Sequence, residues 1–213
     1  IAEVVRRICS PQGRAAGTVG GNIANGSPIG DTPPLLIARG TDIVLRRGAA
    51  THVLALEDFF LDYGKQDREP GEFVESIRVR KPGPHTAFRA YKISKRFDQD
   101  ITASLGVFAF DIEERNIQNA RIAFGGMAGT PKRAGYVELA LEGAQIDAPE
   151  TWQTAIDAIA RDCTPMSDHR AGAGYRIQVA TNLLRKALIE IATGTTAATR
   201  LVGHREAADA ARA

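Results

Sequence analysis

The sequence contains few cysteines, few aromatic residues and no excess of charge of either sign. Its two cysteines, Cys9 and Cys163, lie far apart and form no C-x-x-C pair. By themselves they cannot hold an iron–sulfur cluster or a structural zinc, because each of these needs several ligands. Such sparse cysteine is typical of a protein from the reducing cytoplasm, and we expect both thiols to be small core residues.

Long apolar runs are also missing, and the longest falls well short of the roughly 20 residues that span a bilayer. No signal-peptide pattern opens the chain; residues 1–8 are typical of the end of an amphipathic helix. Because the chain begins without Met and partway through a helix, we expect it to be a fragment of a longer protein. The 27 basic and 25 acidic side chains are interspersed, so the sequence predicts neither membrane insertion nor nucleic-acid binding.

The order of local patterns predicts an α+β fold. An apolar stripe repeating every three or four residues predicts a long helix from Tyr175 to about Ala192. Strands are predicted at 15–19, 42–47, 51–56, 73–80, 86–94, 101–112 and 117–124. Further helices are predicted at 1–8, 33–39, 132–141 and 151–160. Since the second part has strands first and helices afterwards, we expect its sheet to be covered on one face.

The most informative segment is glycine-rich and runs TVGGNIANGSPIGD from Thr18 to Asp31. The adjacent Gly20 and Gly21 would let the backbone approach a phosphate, because no Cβ intervenes and positive φ costs little. Short polar side chains that could donate hydrogen bonds to phosphate oxygens are Thr18, Asn22 and Ser27. Asp31 could accept from ribose hydroxyls or from a ring amide. The alternative is an ordinary glycine turn in which Asp31 caps the next helix.

Other combinations of reactive residue types do not predict a catalytic or metal site. Ser167, Asp168 and His169 are neighbours in sequence, whereas triad members converge from separate elements, so we expect this segment to support the long helix. Met127 is expected to fill the core beside a glycine bend. The four histidines show no metal-ligand spacing: His52, His85, His169 and His204.

Five segments in this order resemble the FAD-binding domain of the molybdopterin dehydrogenase family. They are the glycine-rich segment, LEDFFLDYGKQDREPGEFVESIRV, FRAYKISKRFDQDI, IAFGGMAGTPKRA and DHRAGAGYR. The likeness spans most of residues 11–190, and FFLDYGK and KISKRFDQDI look most like the small, FAD and iron–sulfur subunit of bacterial xanthine dehydrogenase. The resemblance implies the C-terminal part of a two-subdomain FAD-binding module. A composition change near Gly83 then divides the chain into part of the FAD-binding domain (1–82), a β-meander plus helices like the CO dehydrogenase flavoprotein C-terminal domain (83–195) and a tail (196–213).

The resemblance also implies cofactor-binding roles at particular positions. The loop that wraps the FAD pyrophosphate corresponds to Thr18, Val19, Gly20, Gly21 and Asn22. Asp31 matches an acidic residue that contacts the cofactor, and Val74 an apolar position whose backbone touches the flavin. Lys92 matches a lysine near the ring, and Ile101 an apolar residue stacked on the isoalloxazine.

Lys92 and two further positions, Tyr63 and Ile8, allow other interpretations. Lys92 could be a solvated lysine on the outward face of its strand. Tyr63 matches an aromatic residue near the nicotinamide pocket of NAD-using members, yet a lone tyrosine is more often a packing residue. Ile8 stands where some relatives have an aromatic residue over the adenine, and this departure leaves the contact open.

The implied function is electron transfer without chemistry on the substrate. FAD would accept electrons from iron–sulfur clusters and reduce NAD⁺, while a purine is hydroxylated at a molybdopterin cofactor in another subunit. The implied partners are an iron–sulfur domain preceding this segment and a molybdopterin-binding large subunit, in a hetero-oligomer. The alternatives are a flavoprotein of another molybdenum hydroxylase, such as carbon monoxide dehydrogenase or aldehyde oxidase, and a non-enzymatic interaction scaffold on the same fold.

Overall fold

The computed structural model describes residues 2–97 and 99–196, so nearly all of the expected tail at 196–213 lies outside the described residues. The first part contains α1 (Ala2–Arg6), α2 (Pro11–Ala16), α3 (Val19–Ala24), α4 (Thr32–Ile37), β1 (Asp42–Arg47), β2 (Ala50–Ala55), β3 (Phe60–Asp62), β4 (Lys65–Gln66) and β5 (Phe73–Arg78). The second part contains β6 (Thr86–Ile93), β7 (Ser104–Glu113), β8 (Asn116–Gly125), β9 (Lys132–Arg133), α5 (Gly135–Leu141), a 3-10 turn (Pro149–Trp152), α6 (Gln153–Asp162) and α7 (Ala173–Thr193).

The strands form three antiparallel sheets, in the orders β2-β1-β5, β3-β4 and β6-β7-β8-β9. The hairpin β1–β2, the strand β5, the meander and the long helix confirm the α+β prediction. Several boundaries differ from it. Lys132 and Arg133 pair with β8 as a short strand before α5, and α6 begins at Gln153 after the 3-10 turn. The strand predicted at 101–112 begins only at Ser104, so residues 101–103 lie in the segment before it.

The predicted short strand at 15–19 was wrong, because two helix caps lie in this region. The Ser10 hydroxyl accepts from the Gly13 amide and starts α2, and Thr18 does the same for Gly21 at the start of α3. The predicted strand consists largely of small residues, Ala15, Ala16 and Gly17, which have little apolar surface for a sheet to bury, and capping therefore decides the local structure.

The four-stranded sheet is covered on both faces, so the expectation of one covered face was also wrong. On one face Phe108, Phe110 and Phe124 pack with helices α5, α6 and α7. On the other face Leu105 and Val107 pack against the core of the first part. Burial on both sides explains the nearly unbroken apolar run of β7. The two parts of the chain therefore share one hydrophobic contact layer.

The two thiols differ from one another. Cys163 is buried, as expected, and burial raises the pKa of its thiol to about 12. Cys9 is exposed and has a left-handed backbone, so the expectation that it belongs to the core was wrong.

Within the described ranges, no helix is both long and apolar enough to cross a bilayer.

The glycine bend after β8 gives a stability prediction. Gly126 has φ +75°, and a Cβ built there would lie 2.6 Å from the Ala103 carbonyl oxygen and 2.7 Å from Nη1 of Arg176. Gly126→Ala should therefore lower the free energy of unfolding by about 2–4 kcal/mol, measured by urea denaturation. Gly48→Ala is the matched control, since φ there is +58° with no atom nearby, and it should cost only about 1 kcal/mol. Equal losses for both variants would contradict the clash.

Candidate functional site

The glycine pair lies in the first turn of α3 and not in an open loop with positive φ. The Thr18 hydroxyl accepts from the Gly21 amide at 3.0 Å, and the Thr18 carbonyl accepts from Asn22 at 3.1 Å. The amides of Val19 and Gly20 precede the first intrahelical bond, as at any helix start. They are therefore positioned as donors to an external acceptor, while the expected positive φ is found later in the segment, at Gly26.

The two glycines face different neighbours. A Cβ at Gly20 would lie 3.6 Å from Cγ1 of Val74, an ordinary contact distance. A Cβ at Gly21 would lie 2.9 Å from the Thr18 hydroxyl oxygen and would disturb the cap. The start of α3 thus packs against Val74 in β5. The family resemblance implies that both of these places contact FAD.

The rest of the segment is folded tightly between α3 and α4. The Asn22 side-chain oxygen accepts from the Thr32 hydroxyl, which joins the two helices. The Ser27 hydroxyl accepts from the Ile29 amide at 3.4 Å. Ile23 is fully buried and anchors the segment in the core. The side chains of Asn22 and Ser27 therefore stabilise the conformation of this segment, in addition to any hydrogen bond that they could donate to a bound phosphate.

Asp31 and Lys92 form a buried ion pair. The Lys92 ammonium lies 2.7 Å from Oδ2 of Asp31 and 3.1 Å from the Arg7 carbonyl oxygen. The Thr102 hydroxyl donates to Oδ1 of the same carboxylate. The solvated-lysine alternative was wrong, since only 3% of the Lys92 side chain is exposed. The capping alternative was wrong as well, because Asp31 precedes α4 without making a capping bond.

The segment after β6 is held by Arg7, a residue that sequence reasoning missed. Its guanidinium donates to the carbonyls of Lys92 and Phe97 and to the Ser94 hydroxyl, at 2.9–3.1 Å, and lies 5.0 Å above the Phe97 ring. Ile101, at the end of this segment, is 51% exposed. An apolar side chain directed outward beside the buried pair suits a wall for a planar ring. Ile8, which follows Arg7, is half-buried.

Tyr63 lies at a cavity of about 260 Å³ and is 68% exposed. The glycine-rich segment contributes Ser27, Pro28 and Ile29 to the lining of this cavity. The segment before α7 and α7 itself contribute Met166 and three charged residues, Asp168, Arg170 and Arg176. The structure therefore brings Tyr63 next to the predicted cofactor segment, although the two are far apart in sequence.

Arg176 was also missed, although it lies in the DHRAGAGYR segment. It is 2% exposed, and Nη1 donates to the carbonyls of Ala103 and Gly126 while Nη2 contacts Asp168 at 2.8 Å. The Gly126 amide in turn donates to the Pro28 carbonyl at 2.7 Å. Arg176 thus connects the starts of β7 and α7 with the glycine-rich segment.

The Ser167–His169 segment supports α7, which agrees with the sequence interpretation. The Ser167 hydroxyl accepts from the Ala173 amide at 2.9 Å, and the Asp168 carboxylate accepts from Arg176. The His169 carbonyl accepts from Lys95 at 2.6 Å. Among the described residues no cluster of three or more His, Cys, Asp or Glu side chains could hold a metal ion.

These residues fit a bound dinucleotide as positioning groups and not as a catalytic set. The helix-start amides suit a pyrophosphate, and the absence of a Cβ at Gly21 leaves room for the Thr18 cap that fixes them. Val74 and Ile101 supply apolar surface, and the pair of Asp31 and Lys92 supplies fixed charge near it. The arrangement can bind and orient a cofactor that carries out the chemistry itself.

Comparison with known families agrees with this geometry. The family described as FAD binding domain in molybdopterin dehydrogenase matches residues 1–82, and the CO dehydrogenase flavoprotein C-terminal domain matches residues 89–191. The glyceraldehyde dehydrogenase medium chain of Sulfolobus acidocaldarius is 30% identical over 191 residues, which are 89% of this chain and 66% of the relative. The xanthine dehydrogenase FAD-binding subunit of Escherichia coli O157:H7 is 27% identical over 187 residues, 86% of this chain and 63% of that one.

A solved structure is similar as well. In carbon monoxide dehydrogenase from Hydrogenophaga pseudoflava, one chain superposes with a TM-score of 0.82 and 30% identity, over 88% of this chain and 65% of that chain. The present chain therefore spans about two thirds of the length of each of these three relatives.

Asp168 gives a pH prediction. Partial burial raises the pKa of its carboxyl, but the amides of Ala171 and Arg170 and the Arg176 guanidinium outweigh this and lower the pKa to about 2. Because the folded pKa lies below the ordinary value, the carboxylate stabilises the fold above about pH 4, and this stabilisation is lost as the pH falls towards 2. Asp168→Asn should cost about 1 kcal/mol at pH 6, after allowance for solvent screening, and less at pH 3, by urea denaturation.

The control for this prediction is Asp147→Asn. Asp147 forms a solvent-exposed ion pair with Arg115, which should contribute less than about 0.5 kcal/mol. A cost of Asp168→Asn that is the same at pH 6 and pH 3 would show that the charge of Asp168 does not stabilise the fold.

Proposed function

Because this chain belongs to the FAD-binding chains of the molybdopterin dehydrogenase family, we propose that it is the electron-transfer part of a xanthine dehydrogenase-type molybdenum hydroxylase. FAD is its cofactor, and the iron–sulfur and molybdopterin centres of such enzymes reside in other subunits. The observation that carries the proposal is the packing of the glycine start of α3 against Val74, beside the buried pair of Asp31 and Lys92.

Each part of the site has a proposed task in holding FAD. The segment Thr18–Asn22 binds the pyrophosphate, chiefly through backbone amides at the start of α3. Ser27 adds a hydroxyl close to the same segment. Val74 and Ile101 form apolar walls for the isoalloxazine. When bound, FAD supplies the conversion between single electrons from iron–sulfur clusters and the hydride taken by an acceptor.

The proposed role of Lys92 is changed by its ion pair. A lone cation near the ring would favour negative charge on the reduced flavin. Here the ammonium lies 2.7 Å from a carboxylate, so most of its field is cancelled at longer range. We therefore propose that Asp31 and Lys92 together present a local dipole with a fixed geometry to the flavin, and that they contribute little net positive charge.

NAD⁺ is the proposed electron acceptor. The cavity beside Tyr63 adjoins the glycine-rich segment, and the exposed ring offers an aromatic surface for a base. Arg170, whose side chain is partly exposed at this cavity, supplies a cationic group that suits a phosphate, while Arg176 is buried and holds the backbone of the cavity wall. These features support an acceptor that bears both an aromatic ring and phosphates.

The substrate of the complete enzyme is proposed to be a purine, oxidised in a molybdopterin-binding large subunit within a cytoplasmic hetero-oligomer. The relatives named above act on glyceraldehyde, xanthine or carbon monoxide, although they match this chain over the same stretch. A flavoprotein of another molybdenum hydroxylase, with a different acceptor, is therefore the second candidate.

The two cysteines cannot ligate a cluster, which agrees with iron–sulfur centres outside this sequence.

The FAD assignment is tested on the purified full-length protein. It should show flavin absorbance bands. Gly21→Val should lower FAD affinity at least tenfold, because a side chain there would collide with the Thr18 hydroxyl, which caps α3 and fixes its first amides. Gly135→Val, in the first turn of α5 with open space around it, is the matched control and should retain the flavin. Wild-type protein without flavin bands would favour the scaffold alternative, and equal retention in both variants would remove the role of this segment.

The acceptor is tested by stopped-flow reduction of the bound flavin with NADH. Reduction should be fast in the wild type, and Tyr63→Ala should mainly raise the KM for the nucleotide, about tenfold, because a stacking surface is lost. Tyr175→Ala is a control at another exposed tyrosine. No reduction by NADH would favour the second candidate, and unchanged kinetics in Tyr63→Ala would make Tyr63 a packing residue.

A further inference from the structure

We propose that Thr102 is a positioning residue for the flavin site and acts through Asp31; this role rests on the proposed FAD binding. Thr102 is 1% exposed, and its hydroxyl donates to Oδ1 of Asp31. The second carboxylate oxygen, Oδ2, accepts from the Lys92 ammonium at 2.7 Å. Each oxygen of the buried carboxylate thus has its own side-chain donor.

The hydroxyl determines how the carboxylate is oriented. The terminal torsion of an aspartate is broad, so a single partner does not define the plane of its carboxylate. Lys92 has a flexible stem, and its ammonium moves with the oxygen that it contacts. With Oδ1 held by Thr102, Oδ2 has one position, and the Lys92 ammonium is placed between it and the Arg7 carbonyl.

The same residue determines where the neighbouring side chain points. Ile101 is directed outward while Thr102 is directed inward, and the next residue, Ala103, is bound through its amide to the Ile93 carbonyl at 2.8 Å. Arg176 donates to the Ala103 carbonyl. The backbone at 102–103 is therefore held on both sides, and the hydroxyl of Thr102 joins this held segment to the glycine-rich one through Asp31.

A packing role is the competing explanation, and the two make different predictions. Valine has nearly the shape of threonine without the hydroxyl, so a residue that only fills space would tolerate Thr102→Val. A residue that acts through its hydroxyl would not, because Asp31 would lose a donor in a place from which water is excluded. Serine keeps the hydroxyl and loses the methyl group, so it should behave in the opposite way.

The experiment measures FAD affinity by flavin fluorescence in the full-length protein. We expect Thr102→Val to weaken FAD binding about tenfold and Thr102→Ser to remain within about threefold of the wild type. If the valine variant does not fold, Thr102→Ala is compared with Thr102→Ser, a pair that also differs by the hydroxyl alone. Valine binding as well as the wild type, or alanine binding as well as serine, would overturn the proposal.

A double-mutant cycle tests whether Thr102 acts through Asp31. In an Asp31→Ala, Lys92→Met background, which removes both charges of the buried pair, the hydroxyl has lost its acceptor, so Thr102→Val should change FAD affinity less than twofold. An undiminished tenfold loss in that background would show that Thr102 acts by another route and would overturn the proposal. If the wild type itself retains no FAD, the proposed function fails; if it retains FAD and the valine variant matches it, only the role of Thr102 fails.

Discussion

The buried ion pair between Asp31 and Lys92 is the constraint on which the rest of the site depends. Two charges removed from water are costly unless their remaining hydrogen-bonding capacity is used, and loss of one partner from such a pair typically costs about 3–5 kcal/mol. Here Thr102 and the Arg7 carbonyl use part of that capacity. Because Asp31 precedes α4 and Lys92 lies near the end of β6, the pair also fixes how the glycine-rich segment lies against the four-stranded sheet.

A second set of contacts, around Gly126 and Arg176, holds the glycine-rich segment against the four-stranded sheet. The Gly126 amide binds the Pro28 carbonyl, and Arg176 holds the carbonyls of Gly126 and Ala103. Between the two sets of contacts, Leu105 and Val107 of β7 pack into the core of the first part. A site whose supporting segments are joined by charge, hydrogen bonds and apolar packing needs little reorganisation to receive a cofactor, and such preorganisation lowers the cost of binding.

The strands of the meander were predictable, because short apolar segments rich in β-branched and aromatic residues are bounded by turn residues. The glycine-rich segment was predictable as a site but not in its conformation, since the cap formed by Thr18 converts an expected loop into a helix start. Arg7, Thr102 and Arg176 could not be recognised as site residues. Arg7 and Arg176 bind backbone carbonyls, and Thr102 binds a carboxylate, in each case across more than seventy residues of sequence. Contacts over such a separation leave no local sequence pattern.

The distribution of functional groups also explains how one architecture can serve enzymes with different substrates. The charged and polar groups of this site either hold one another, as Asp31 holds Lys92, or present a helix start and a polar cavity to a cofactor and an acceptor. Under the proposed function, substrate choice therefore depends on the molybdopterin-binding subunit. What this chain must preserve is the placement of the flavin, which depends on contacts within its own two parts.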